Sequence, residues 1–321
     1  MDTFRSSLEV LKWLSPKEVL SEYCIVSKAW AHACHSDELW ITFFDTEETP
    51  ALKSCSSFQA GYRHSHCSPF SLFLINKQSI DIFNVRKKKW VRRVRIQRRL
   101  PTDTASAYVV LPDGALLICG GGDPVLAATL RVDLNGVVVE LQPMEQERAE
   151  HGIIQTQSKV YVFGGENNSG LLKSFESLEW EYLTDLPTSR WKELGNMQNE
   201  RKLFKPCVYK GLIYLYGGFT PSFETYDPAT NQCLNLSLSI NDFMCETMAV
   251  TDGPYLHLFS RKLCLTYNAL SCDCRYEPCS KLATVWGKRN GILYHHSVYF
   301  TFDNLIHRYD LRKSKLTKVS S

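Results

Sequence analysis

The run Leu212-Ile213-Tyr214-Leu215-Tyr216-Gly217-Gly218 decides the fold: five apolar or aromatic residues without a polar break, closed by two glycines. A run this short and this continuous is the mark of a buried strand rather than a helix. It occurs three times, as Ala115-Leu116-Leu117-Ile118-Cys119-Gly120-Gly121 and Lys159-Val160-Tyr161-Val162-Phe163-Gly164-Gly165 as well. Successive glycine pairs are 44 and 53 residues apart. That period fits a propeller blade of four strands and not a solenoid repeat of one or two helices. At the end of a crowded strand, paired glycines allow backbone angles and close approaches that a side chain blocks.

A second register runs in step with the first. Leu141, Met144 and Arg148 recur as Leu194, Met197 and Arg201, with each methionine twenty residues before a glycine pair. The strand after each glycine pair carries a large residue with an apolar partner seven positions on, Val132 with Val139 and Tyr226 with Cys233. The same spacing appears without glycines in Phe83 with Trp90, Tyr267 with Cys274 and Tyr309 with Leu316. Six blades follow, near residues 68–100, 104–144, 149–197, 202–240, 246–280 and 282–321. Blade three carries an insertion at Asn167-Asn168-Ser169-Gly170 and a longer path through Trp180 to Trp191. Blade one shows three strands and a weak candidate around Pro69 for the fourth. The pattern resembles the kelch repeat, whose blades combine a glycine pair, a tyrosine and a spaced tryptophan, and so implies a mainly β, six-bladed kelch-type propeller over 68–321.

The chain begins in a different style. Ser15, Pro16 and Glu18 form a helix start, with a capping hydroxyl, proline at the first helical position and a carboxylate three residues after the cap. Val19, Leu20, Tyr23 and Cys24 then recur at helical spacing, and Val26 and Trp30 extend the stripe. Leu8, Val10, Leu11 and Leu14 form an earlier helix, and Asp37 caps a third that carries Leu39 and Trp40. Residues 1–45 resemble the F-box, the small all-α module that docks a receptor onto the adaptor of SCF cullin-RING ubiquitin ligases. The matching residues are Leu14-Ser15-Pro16-Lys17, Val19-Leu20, Val26 to Trp30 and Leu39-Trp40. Where the family usually opens with Leu-Pro, this chain has Asp2-Thr3. The alternative is a helical cap packed on the next domain. Residues 46–67 read as a connecting helix, started by Thr49-Pro50 and striped by Leu52, Cys55, Phe58 and Tyr62.

Composition narrows the functional classes. The 321 residues are 44% hydrophobic, enough for one small module and one large core. No apolar run approaches the roughly 20 residues that cross a bilayer, and no signal core follows a basic start, so the expected location is cytoplasmic, nuclear or both. The 12 cysteines sit singly, as in strands at Cys119, Cys207 and Cys264, which predicts reduced, buried thiols. Nine of the 37 Lys and Arg residues fall between Arg86 and Arg99 around Trp90. That run reads as an import signal, a patch for an acidic or phosphorylated partner, or an outer strand that uses charge to avoid edge pairing. No RNA-binding motif accompanies it, which argues against nucleic acid.

Neither His64, His66 and Cys67 nor Cys272, Cys274 and Cys279 has zinc spacing, and no phosphate loop or nucleophile elbow appears. The expected protein is therefore non-catalytic, with no metal and no cofactor. The resemblance implies docking to the SCF adaptor, and through it cullin, by Leu11, Leu14, Pro16, Val19, Leu20, Val26 and Trp30. It also implies a protein substrate held on one propeller face. The substrate candidates are the loop residues Asp123, Glu166, Asn167, Asn168 and Phe219, together with Arg148 and Arg201, while His151 reads as structural. The competing reading is a propeller scaffold for cytoskeletal or signalling assemblies.

Overall fold

The computed structural model describes residues 71–319 without 77, 86, 98–99, 101–104, 112–113, 157–158, 180–189, 221, 237–246, 261–262, 279–290, 295–296, 303–304 and 314. The F-box-like residues, the connecting helix and the candidate strand around Pro69 lie outside the described residues. Every regular element described is a strand, and the strands form six antiparallel blades.

Blade one is β1 (Ser71–Ile75), β2 (Ser79–Asn84) and β3 (Lys89–Arg95). Blade two is β4 (Ala107–Val110), β5 (Leu116–Cys119), β6 (Thr129–Val132) and β7 (Val138–Leu141). Blade three is β8 (Gly152–Gln155), β9 (Lys159–Phe163), β12 (Ser174–Glu179) and β13 (Trp191–Asn196), with a small hairpin of β10 (Glu166–Asn167) and β11 (Gly170–Leu171) between its second and third strands. Blade four is β14 (Cys207–Tyr209), β15 (Leu212–Tyr216), β16 (Phe223–Asp227) and β17 (Gln232–Leu236). Blade five is β18 (Met248–Asp252), β19 (Tyr255–Phe259), β20 (Leu263–Asn268) and β21 (Cys274–Pro278). Blade six is β22 (Gly291–Tyr294), β23 (Ser297–Phe302), β24 (Leu305–Asp310) and β25 (Lys315–Val319).

The seven-residue spacing is a strand register. Phe83 faces Trp90, Tyr226 faces Cys233, Tyr267 faces Cys274 and Tyr309 faces Leu316 across the two outer strands of their blades. Blade two departs from the expectation, because Val132 pairs with Val138 and Val139 pairs with Arg131. Its turn is one residue shorter, closed by Asp133 and Val137 with Gly136 in the left-handed region at φ 84°. The equivalence of Phe83 with Tyr226 also identifies β1 to β3 as the second, third and fourth strands of blade one.

A polar residue following each of these five positions shapes the outer hairpin. The side-chain oxygens of Asn84, Asp133, Asp227, Asn268 and Asp310 accept N–H groups two to four residues on. This Asx turn satisfies amides that the hairpin leaves unpaired.

The core is divided among the blade interfaces, and these run round a closed circle. Phe73, Ile80, Leu116 and Leu130 join blades one and two; Leu117, Ile153 and Trp191 join two and three; Phe163, Ile213 and Tyr226 join three and four. Tyr216, Leu256 and Tyr267 join four and five, and Phe259, Val298 and Tyr309 join five and six. The last cluster, Leu72, Phe83 and Val85 against Tyr299 and Ile306, closes blade six on blade one. Met144 and Met197 are buried in equivalent interfaces, with Leu141 and Leu194 packed beside them, as their shared spacing predicts. Edge-to-face packing at one interface is dense, with Phe175 and Tyr226 centroids 4.7 Å apart; such pairs add about 1 kcal/mol beyond area burial. Polar bonds also cross interfaces. Trp191 Nε1 donates to Thr129 Oγ1 at 2.9 Å and the Tyr108 hydroxyl donates to the Phe73 carbonyl at 2.8 Å.

Cys119, Cys207 and Cys264 are free thiols buried in these strands, and burial pushes the Cys207 thiol up to about 12. Among the described residues, no three His, Cys, Asp or Glu side chains are placed to hold a metal ion.

Candidate functional site

Successive antiparallel strands reverse direction, so the turns of each blade alternate between two rims. The loop after a glycine pair and the connection to the next blade share one rim, here called the glycine rim. The hairpins between first and second and between third and fourth strands occupy the opposite rim. Asp123, Glu166, Asn167, Asn168 and Phe219 all belong to loops of the glycine rim.

The glycine pairs make this rim possible. Gly120 and Gly164 sit at φ 59° and 58°, and a Cβ on either would run into a backbone carbonyl, that of Arg148 or Arg201 respectively. Chain connections therefore pack directly on the strand ends. The Gly121 amide donates to the Arg148 carbonyl at 2.8 Å and the Gly165 amide to the Arg201 carbonyl at 2.7 Å. Inner-strand entrances are linked in turn. Glu150 N–H donates to Ala105, Leu203 N–H to Glu150 and Thr247 N–H to Leu203, at 2.7–3.1 Å. Glu150 and Leu203 hold φ of 56° and 57° in this chain of bonds, a conformation uncommon outside glycine.

Arg148 and Arg201 do not lie at the surface, which corrects their assignment as substrate contacts. Both are 0% exposed. Arg148 donates to the carbonyls of Gly164 and Ser174, to Ser174 Oγ and to Glu176 Oε1, at 2.9–3.1 Å. Arg201 repeats the arrangement with Gly217, Ser222 and Glu224, at 2.6–3.0 Å. The carboxylates are saturated from the other side. Glu176 accepts the amides of Glu145 and Gln146, and Glu224 those of Gln198 and Asn199. Burial pulls both guanidinium groups below their usual range and the paired carboxylates oppose it. These clamps tie the connection leaving one blade to the body of the next. His151 follows in the same interior, 4% exposed and lowered to about 3 by burial and then by the positive charges of Arg148 and Lys205. It is structural, as its position suggests.

Above the clamps the rim is exposed, and its organising residue is Lys202, which the sequence reading did not single out. Its Nζ lies 2.7 Å from Glu166 Oε2 and 3.1 Å from Glu150 Oε2, and 5.8 Å from the centroid of the Phe219 ring. Burial lowers the Lys202 ammonium, but hydrogen bonds to Glu166 and Glu150 more than offset it, leaving the group raised. Glu166 and Phe219, from blades three and four, are thereby brought together. Phe219 is 41% exposed at φ 69°. Asn167 and Asn168 stand beside them on the β10–β11 hairpin, where Asn167 Oδ1 accepts the Ser169 amide at 2.8 Å and Asn168 is exposed at the turn. Asp123 is exposed on blade two, with no bond joining it to this cluster. A signal for Lys202 was present, since it directly follows the second arginine of the repeated register. A supported aromatic ring amid charged groups suits a protein surface better than a small molecule.

No family model matches the chain. It is similar to Kelch-like protein 41a of Danio rerio, 25% identical over 147 residues, which are 44% of this chain and 23% of that protein. It is also similar to Kelch-like protein 26 of Danio rerio, 28% identical over 138 residues, 41% of this chain and 19% of that protein. Kelch-like protein 41b of the same organism is 33% identical over 89 residues, 26% of this chain and 14% of that protein. The chain thus spans less than a quarter of the length of these relatives. The similarities and the six blades support a kelch-repeat propeller, and no catalytic family is indicated.

Proposed function

We propose that this chain is the substrate-recognition subunit of an SCF-type cullin-RING ubiquitin ligase, acting in the cytoplasm, the nucleus or both. Residues 1–45 dock to the adaptor through Leu11, Leu14, Pro16, Val19, Leu20, Val26 and Trp30, on the strength of their F-box resemblance. The glycine rim captures the target protein through Phe219, Glu166, Lys202 and the Asn167-Asn168 turn. The observation that carries the reading is the rim cluster, in which Lys202 fixes an exposed aromatic ring from one blade and a carboxylate from another. A rigid support of this kind lowers the ordering cost of binding and holds a bound protein in one orientation for transfer.

Direct binding of the full chain to the purified SCF adaptor tests it, beside a Leu14→Glu, Val19→Glu variant and a chain lacking residues 1–44. Binding by the full chain alone supports the receptor. Absence of binding in all three forms overturns it and leaves a propeller scaffold.

A further inference from the structure

A dense group of cations among the described residues lies at the opposite rim, across the seam where blade six meets blade one. The outer hairpins share the Asx-turn build described above, yet their charges differ sharply. Blade one presents Lys87, Lys88 and Lys89, followed by Arg92, Arg93 and Arg95 along β3; blade six presents Arg312, Lys313 and Lys315. The equivalent hairpins of blades two, four and five, residues 133–137, 227–232 and 268–273, contain no Lys or Arg. Blades one and six are neighbours through the closing cluster of Leu72, Phe83, Tyr299 and Ile306, so the two basic hairpins are adjacent on one rim.

Among the described residues of these two blades the cations far outnumber the acids. Asp81 and Asp310 are the acidic residues among the described residues of the two blades. Asp81 is engaged by Arg93, and Asp310 accepts the amides of Arg312 and Lys313 and the guanidinium of Arg308. Lys89–Arg95 are also committed to β3, paired along β2, and are not a free linear segment of the kind an import signal presents. Beside β3 is an open recess of about 580 Å³ whose wall combines the apolar Leu74, Trp90 and Val91 with Arg92, Arg93 and the Asp81 that Arg93 engages. Val91 is 44% exposed there.

We infer that this seam is a second docking surface, for an extended acidic segment of a partner protein. The outermost strand offers backbone groups for an added strand, the hairpins supply cations, and the recess accepts an apolar side chain. Nucleic acid fits less well, because exposed aromatic rings for base stacking do not accompany these cations among the described residues of blades one and six. The surface faces away from the glycine rim, so both can be occupied at once.

The test uses the full chain and a fluorescein-labelled 14-residue peptide of Glu and Ser with one central Leu, followed by anisotropy at physiological salt. Lys87→Glu with Arg92→Glu in blade one, and separately Arg312→Glu with Lys315→Glu in blade six, are each expected to weaken binding at least tenfold with unchanged circular dichroism. Less than a twofold loss in either pair overturns the shared surface, as does absent binding by the unaltered chain. An oligonucleotide of equal charge bound tenfold more tightly than the peptide overturns it in favour of nucleic acid.

Discussion

Blades three and four and the seam of blades six and one are built on one strand plan but stabilised differently. In blades three and four, Glu176 and Glu224 stand two residues before Leu178 and Tyr226, and each carboxylate meets a buried arginine from the preceding connection. At the same position the other blades have Leu130, Leu265, His307 and Asp81, and among the described residues no such arginine enters them. Their interfaces rest on apolar packing, as at Leu72, Phe83 and Ile306. The propeller therefore needs only the strand register and the apolar pattern. The ionic clamp is an addition, and it occurs where the connections bear Glu150 and Lys202, directly behind the exposed Lys202 cluster of the glycine rim.

The largest expected effect breaks a clamp. Arg201→Ala leaves Glu224 buried without its partner and is expected to cost about 3–5 kcal/mol in chemical denaturation. Arg201→Met with Glu224→Gln should recover part of that loss, because both desolvated charges disappear together while an amide oxygen still accepts the N–H groups of Gln198 and Asn199. Next, Gly164→Ala sets a Cβ at φ 58° against the Arg201 carbonyl and should cost about 2–3 kcal/mol.

Acidification sharpens the same contrast. His151 is neutral in the fold, lowered to about 3, whereas in the unfolded chain it titrates near its ordinary value. The unfolded state therefore binds the extra proton, and stability, complete above pH 6.5, falls as pH drops towards 3. By pH 5 this amounts to about 2 kcal/mol, and His151→Gln should flatten the slope of denaturation midpoint against pH.

At the seam, Ile306→Val removes one methyl group from the closing cluster and is expected to cost about 1 kcal/mol. The smallest stability effect belongs to the rim. Phe219→Ala should shift stability by less than about 0.5 kcal/mol and yet reduce capture of a target protein in a pull-down at least tenfold.

Much of the fold was legible because a propeller repeats local hairpins. Four of the five seven-residue pairs are true cross-strand partners, and the one exception, Val132, fails where Gly136 shortens the turn. Arg148 and Arg201 were legible as a repeat but not as buried groups, since a charged residue in a connection reads as a surface residue until its carboxylate partner is placed. That partner lies 28 or 23 positions further on.

The sequence by itself determined the number of blades, their phase and most of the partners across the outer hairpins, because strand alternation and hairpin length are local properties. Tertiary structure alone decided that Leu72 meets Ile306 to close the ring, that Lys202 joins Glu150, Glu166 and Phe219, and that two basic hairpins distant in the chain share one rim. Those contacts depend on the circular order of the blades, which brings together residues up to 234 positions apart and leaves no trace in any short window of sequence.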